Sequence, residues 1–280
     1  MNPTTTAVPA AGPLPARLDH RLARAFLRRV GPLSDGLALC FAEGLTSGRM
    51  LEYVYENRPR GRHVIGRWID AQFLASPGWQ AVRERRALLE TLLERAVESR
   101  RRESGSATLV DIASGPAGYV LAVLGRMGPD GVTARCRDLD DRWLVRGRER
   151  AAALGLRHVT FEHGDALDRD SLLALSPRPD VAVSSGFYDW ITDDAMVRRS
   201  IGIVSEMLPP GGRFVLTHQT ANPDLAFLNT VFTDFRHTPL IMKMREVATV
   251  HGWLSEAGFV IDDLRSDVRH YYAVTTARKP

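Results

Sequence analysis

Acidic residues recur at the ends of short apolar runs in this chain of 280 residues. Asp111 closes the run Thr108–Ile112, Asp138 follows Val132–Cys136, and Asp165 follows Val159–Glu162. Between the first two runs lies a loop of small residues, Ala113-Ser114-Gly115-Pro116-Ala117-Gly118. Small residues let backbone approach a ligand closely, and a helix start offers free N–H groups. An acid after the second strand of such a unit is placed to accept both hydroxyls of a ribose. Asp140 and Asp141 compete with Asp138 for that role, and Asp141 could instead cap the next helix. Asp165 could accept a hydrogen bond from an adenine amino group. Ala113, Ser114, Gly115, Ala166 and Ser185 would complete the wall of the same site.

A second set could act on a reacting group. Ser184-Ser185-Gly186-Phe187-Tyr188-Asp189-Trp190 follows an apolar run, and Thr217-His218-Gln219 ends another. Tyr188 offers a π face and a hydroxyl, and Asp189 could take a proton or hold an ammonium. His218 titrates near neutrality and could be a base. The plainer alternatives are a Tyr188 packed under a helix, an Asp189 or Asp193 that caps it, and a buried structural histidine. His163, His237, His251 and His270 have no ligand spacing, so no metal is expected.

These residues need an alternating scaffold to bring them together. Runs 108–112, 132–137, 159–162, 180–184 and 213–217 read as strands. Segments 119–127, 142–154, 171–175, 193–207 and 245–257 read as helices. Gly258 would close the last of these. Two further runs, 259–264 and 270–276, suit an antiparallel pair at a sheet edge. The alternation predicts an α/β fold, a mainly parallel sheet with helices on both faces. Ahead of it, residues 17–105 read as helices only, with stops at Gly31-Pro32 and Arg58–Gly61. In the first of these, Leu18, Leu22, Phe26 and Val30 share one face. The long helix from Pro77 should turn Ala81, Leu88, Leu89, Leu92, Leu93 and Val97 inward. The division expected is a disordered tail over 1–16, a helical cap or lid over 17–105, and a ligand-binding domain over 106–280.

Composition bounds the rest. Hydrophobic residues make up 44% of the chain, enough for a sizeable core. The net charge of +4 is almost all arginine, since the only lysines are Lys243 and Lys279. Cations alternate with acids, as in Arg83-Glu84-Arg85-Arg86, which reads as a solvated helix face. Nucleic acid is therefore not the expected partner, and no run is long enough for a membrane span. Cys40 and Cys136 make no disulfide framework, which fits a reducing, cytoplasmic setting.

The loop also discriminates between nucleotides. A dinucleotide turn wants Gly-x-Gly-x-x-Gly to seat a pyrophosphate, and this loop does not supply it. Asp111 beside the loop would repel phosphate. It suits a ligand with an ammonium and a sulfonium, which points to S-adenosyl-L-methionine (SAM). Asp111 to Gly118, Asp138, Gly164-Asp165 and Leu208-Pro-Pro-Gly-Gly212 together resemble the motif series of class I SAM-dependent methyltransferases. The resemblance covers Ala107 to Lys279 and implies a Rossmann-like seven-stranded sheet. Ala113 and Ala117 stand where the commonest form of the loop has glycine. Ser185–Tyr188, Val197–Ser200, Leu33–Gly36 and Met50–Tyr55 resemble a bacterial group of methyltransferases with a helical N-terminal part.

The resemblance implies methyl transfer from SAM to a small molecule, of the kind found in specialised metabolism. Tyr188, Asp189, Thr217 or His218 would orient the acceptor, with Tyr55 and Arg67 from the cap over the pocket. An Asn/Asp-Pro-Pro-Tyr string, the mark of base methylation, is absent. Two other readings stay open. A looser resemblance to azetidine-2-carboxylate synthases implies cyclisation of SAM's own aminobutyryl arm, with Tyr188-Asp189 and Thr217 holding the amine. A non-catalytic SAM-binding protein is the third. The helical front third could also pair two copies as a homodimer instead of lidding the pocket.

Overall fold

The computed structural model describes residues 20–280. The tail expected over 1–16 lies outside the described residues. Among the described residues five α-helices come first: α1 His20–Val30, α2 Asp35–Glu43, α3 Gly48–Glu56, α4 His63–Leu74 and α5 Pro77–Ser104. Their limits follow from local chemistry. Ser34 and Ser47 accept hydrogen bonds from the N–H groups of Leu37 and Met50, satisfying donors that have no partner within the helix. Pro77 opens α5, and Gly105, with φ +80, closes it in the left-handed conformation.

One acid organises these helices. Asp70 on α4 is fully buried. It accepts from Ser34 Oγ at 2.6 Å, Gly36 N–H at 2.8 Å, Arg60 N–H at 2.8 Å and the Tyr53 hydroxyl. Four donors from three other segments thus satisfy one carboxylate. An apolar cluster of Leu37, Met50, Leu74 and Trp79 fills the space beside it and continues into Phe232 and Tyr272 of the C-terminal half. Of the face expected over Leu18, Leu22, Phe26 and Val30, Leu18 lies outside the described residues, Val30 is half-buried, and Leu22 and Phe26 are exposed and do not enter the core.

The strands are β1 Ala107–Asp111, β2 Val132–Asp138, β3 Val159–His163, β4 Val181–Ser184, β5 Arg213–Gln219, β6 Val260–Ser266 and β7 Tyr272–Arg278. They form one seven-stranded sheet in the order β3-β2-β1-β4-β5-β7-β6. The first five are parallel, and β7 pairs antiparallel with both β5 and β6. Every residue of β4 and β5 is buried, as expected of strands covered on both faces. This is the Rossmann-like α/β sheet that the alternation predicts.

Helices α6 Gly118–Met127, α7 Asp141–Ala153, α8 Arg169–Leu173, α9 Asp194–Met207, α10 Leu225–Val231 and α11 Val247–Glu256 complete the fold. On one face Leu89, Leu92, Leu93 and Val97 of α5 pack with α6 against Leu109 and Val181. On the other, Ile201, Val204, Val250 and Leu254 pack against Val110, Phe214 and Leu216. Asp168 and Asp193 each cap a helix, which starts α8 two residues earlier than periodicity suggests and makes Asp193 the cap of α9. Helix α10 has no counterpart in the sequence reading. Among the described residues no helix is long and apolar enough to cross a membrane.

Candidate active site

The carboxyl ends of the parallel strands open under the first helices into a cavity of about 1440 Å³. The strand order reverses direction at β1, between β2 and β4. In open α/β sheets ligands bind beyond the strand ends at that point.

The loop after β1 is stapled to the end of β2. Ser114 N–H donates to Arg137 O at 2.8 Å, and Gly115 N–H donates to Asp138 Oδ2 at 2.8 Å. Gly115 has φ +53 with open space around it, so the backbone conformation, not crowding, calls for glycine. Asp138 Oδ1 accepts from Asp140 N–H at 2.9 Å. Each oxygen keeps a second lone pair. Burial pushes the Asp138 carboxyl above its ordinary range, and the N–H groups of Asp140 and Gly115 pull against that.

The competing acids, Asp140 and Asp141, line the same cavity and each has a partner of its own. Asp140 caps α7 through Arg142 N–H and grips the Arg142 guanidinium at 2.6 Å, which holds its pKa below the usual range. Asp141 meets His163 Nδ1 at 3.2 Å. Asp165 takes Leu167 N–H at 2.8 Å, and Asp165 and Ala166 both line the cavity. Ala113, Ser114, Gly115, Asp138, Asp140 and Ser185 line it too.

Asp111 stands behind this wall. It is fully buried, accepts from the Tyr119 hydroxyl, and is pushed up to about 7 by burial, with the Tyr119 and Ala113 donors pulling down. Its influence on a ligand would pass through the loop it braces.

On the far side Asp189 reaches the wall while only 4% exposed. Its Oδ1 accepts from Gln219 N–H at 2.7 Å. Burial pushes it up to about 6, against the pull of that N–H, of Arg85 and of Arg245. The turn carrying it, Tyr188–Trp190, is clamped by Arg245, which donates to Tyr188 O and Ile191 O and pairs with Asp194.

The other residues expected to act are not on the wall. Tyr188 is 1% exposed, with its hydroxyl 3.1 Å from Ser200 Oγ in the apolar layer under α9. Thr217 Oγ1 accepts from Gly186 N–H at 2.9 Å and so holds the loop after β4. His218 shares the strand face of Phe214 and Leu216, by the alternation of β5. Neither ring nitrogen has a partner among the described residues, and burial, then His251 and Arg245, lowers its pKa to about 4. It is therefore neutral at physiological pH. Tyr55 lines the cavity, whereas Arg67 is exposed on α4 and outside the wall.

Arg85 is the residue that sequence reasoning missed. The run Arg83–Arg86 is not a uniformly solvated face: Arg85 is 8% exposed and lines the cavity. Its position four residues from both Ala81 and Leu89 puts it on the apolar stripe of α5. Arg86 also reaches the wall, donating to Gly118 O at 3.3 Å and pairing with Glu90 at 2.7 Å. Among the described residues no group of His, Cys, Asp and Glu could hold a metal ion.

Comparisons place this architecture. The chain is 32% identical over 255 residues to the uncharacterized protein YnbC of Escherichia coli K12, covering 89% of this chain. It spans 43% of the length of that relative. A possible exported protein from Bordetella parapertussis has the same fold, with a TM-score of 0.70 at 21% identity over 92% of this chain and 87% of its own. Magnesium protoporphyrin IX methyltransferase of Synechocystis PCC 6803, solved with bound SAH, has a TM-score of 0.57 at 11% identity. That likeness covers 85% of this chain and 98% of the other. A family model described as "Putative methyltransferase" matches residues 4–279, so the chain belongs to that methyltransferase family.

Proposed function

We propose that this chain is a SAM-dependent methyltransferase acting on a small molecule. The observation that carries the reading is one cavity that joins the Gly115–Asp138 cradle to Asp189. The residues present fit SAM. Asp138 offers lone pairs for two ribose hydroxyls, and Asp165 offers them for an adenine amino group. Acids at both places suit a ligand without phosphates. Arg86 of α5, which reaches the start of α6 at Gly118 O, suits the carboxylate of the aminobutyryl arm.

SAM, when bound, supplies a methyl carbon attached to a positive sulfur. The chain's task is placement: to hold an acceptor in line behind that carbon and exclude water. The cap helices cover much of the cavity, and a bound acceptor would fill the remaining mouth and complete the exclusion. Asp189 takes the acceptor's proton if the nucleophile arrives protonated, and its raised pKa suits a base working near neutrality. The methyl goes to the acceptor atom, and SAH leaves.

The cyclisation reading is less well supported. It calls on Tyr188, Asp189 and Thr217 to hold one amine, and only Asp189 of these lines the cavity. A cavity of about 1440 Å³ also exceeds the roughly 300–1,000 Å³ of a site for one small ligand. Mass spectrometry of SAM incubations separates the readings. SAH should form only when the small-molecule fraction of a cell extract is added. Methylthioadenosine from SAM alone would mean cyclisation, and no turnover in either would mean a binding protein.

A further inference from the structure

The cavity has two chemically different ends, and the cradle accounts for one. The other lies beneath the cap and is walled by apolar rings, among them Phe26, Trp68, Phe73, Phe227 and Phe232. Phe26 and Trp68 are 64% and 63% exposed while lining the cavity, so its mouth is apolar as well. Lone exposed apolar residues are ordinary, but a ring of them around an opening marks a binding groove.

At the floor of this compartment stands Arg85. Its guanidinium makes one long bond, 3.4 Å to the Tyr55 hydroxyl, and stacks 4.7 Å over the Tyr272 ring. Its Nε has no partner among the described residues. Beside it, Gln219 is 3% exposed, also lines the cavity, and has an unpartnered Oε1 while its amide nitrogen donates to the Tyr272 hydroxyl at 3.0 Å. Gly186, at φ +71, leaves room for this arrangement, because a Cβ there would come within 3.3 Å of Arg85 Nη1. A buried cation with an unmade hydrogen bond is costly unless a ligand completes it.

The place of Arg85 separates it from the cradle. Its neighbours Gly186 and Tyr272 belong to the β4 loop and to β7, on the opposite half of the sheet from β2 and β3. Arg85 and Arg86 both touch Tyr55, one at its hydroxyl and the other 4.4 Å over its ring, and of the two it is Arg86 that meets the start of α6.

Resting on the methyltransferase reading, we infer that the acceptor is an acidic amphiphile: a bulky apolar body housed under the cap, with a single anionic oxygen group held by Arg85 beside Asp189. A planar guanidinium matches a carboxylate-type anion in geometry and charge. Arg85 offers this compartment one buried cation and the remaining wall is mainly apolar rings, so the acceptor bears one negative head and an otherwise apolar frame.

A matched pair of fluorescent probes tests this. 8-Anilinonaphthalene-1-sulfonate carries an anionic head, and N-phenyl-1-naphthylamine has the same aromatic body without it. The full chain should bind both, with the anionic probe favoured. Arg85→Gln should weaken the sulfonate at least tenfold, about 1.4 kcal/mol, and leave the neutral probe within about twofold. Arg85→Lys keeps a cation without the planar fork and should fall between wild type and Gln for the anionic probe. Saturating SAH should displace neither probe. Equal losses for both probes in Arg85→Gln, a Lys variant weaker than Gln for the anionic probe, or displacement by SAH would each overturn the assignment. SAH titrated in parallel keeps the two readings apart. Failure of the wild-type chain to bind SAH sinks the methyltransferase reading, while the probe discrimination judges the acidic acceptor.

Discussion

The backbone N–H of Gln219 lies 2.7 Å from the Asp189 carboxylate and ties the turn after β4 to the end of β5. This bond fixes a nearly buried acid at the wall of the cavity, with Arg245 holding the turn from behind. Asp189 is thus held by a backbone N–H, while the charges of Arg85 and Arg245 act on it from further off.

Its protonation sets the first expectation. A base must be unprotonated to work, and burial pushes Asp189 up to about 6. Methyl transfer should rise with pH through about 6 and level off above it. Asp189→Asn should cost about 10²–10⁴-fold in kcat, the usual worth of a positioned base. The check is the initial rate of SAH formation against pH, with the active extract fraction as acceptor. A flat profile, or an Asn variant of full activity, would remove Asp189 from the chemistry.

The cap stands on Asp70. Asp70→Ala would leave four donors facing a void, so the loss should be about 3–5 kcal/mol of unfolding free energy. Asp70→Asn can still accept at one oxygen and should lose less. Urea denaturation of the three proteins measures the order. Equal stability of Ala and wild type would show that these hydrogen bonds are replaced by water at no cost.

Asp111 makes stability depend on pH in the less usual direction for a carboxyl. Its folded value, about 7, lies above the ordinary 3.8. Between these values the native chain keeps a proton that the unfolded chain has released. The contribution of the neutral acid is therefore complete below about pH 4 and is lost as pH rises through 7. Asp111→Asn, neutral at every pH, should gain on the wild type from pH 4 to pH 8. Denaturation midpoints at each pH give the difference, and an advantage that shrinks over this range would contradict the burial argument.

The sequence carried the scaffold well because its signals were local. Apolar runs, a glycine-bearing loop and an acid after each run gave the strands, their parallel pairing and the Asp138 and Asp165 positions. Orientation across the sheet was not local. Tyr188 and Asp189 are neighbours, yet one packs under α9 and the other meets the cavity, because a short helical turn held by Arg245 rotates them apart. Arg85 looked solvated beside Arg83 and Glu84, although its spacing from Ala81 and Leu89 put it on the inner stripe of α5. Helix α10 spans only Leu225–Val231, too short for periodicity to reveal, and it supplies Phe227 to the roof.

The proposed SAM site turns on the Gly115–Asp138 cradle holding the ribose. The deciding measurement is calorimetric titration with SAH of wild type and Asp138→Ala, each checked for native circular dichroism. One site per chain is expected in the wild type, with binding at least tenfold weaker in the variant for the loss of one or more charged hydrogen bonds. No heat of binding in the wild type, or equal affinity in a folded Asp138→Ala, would contradict it.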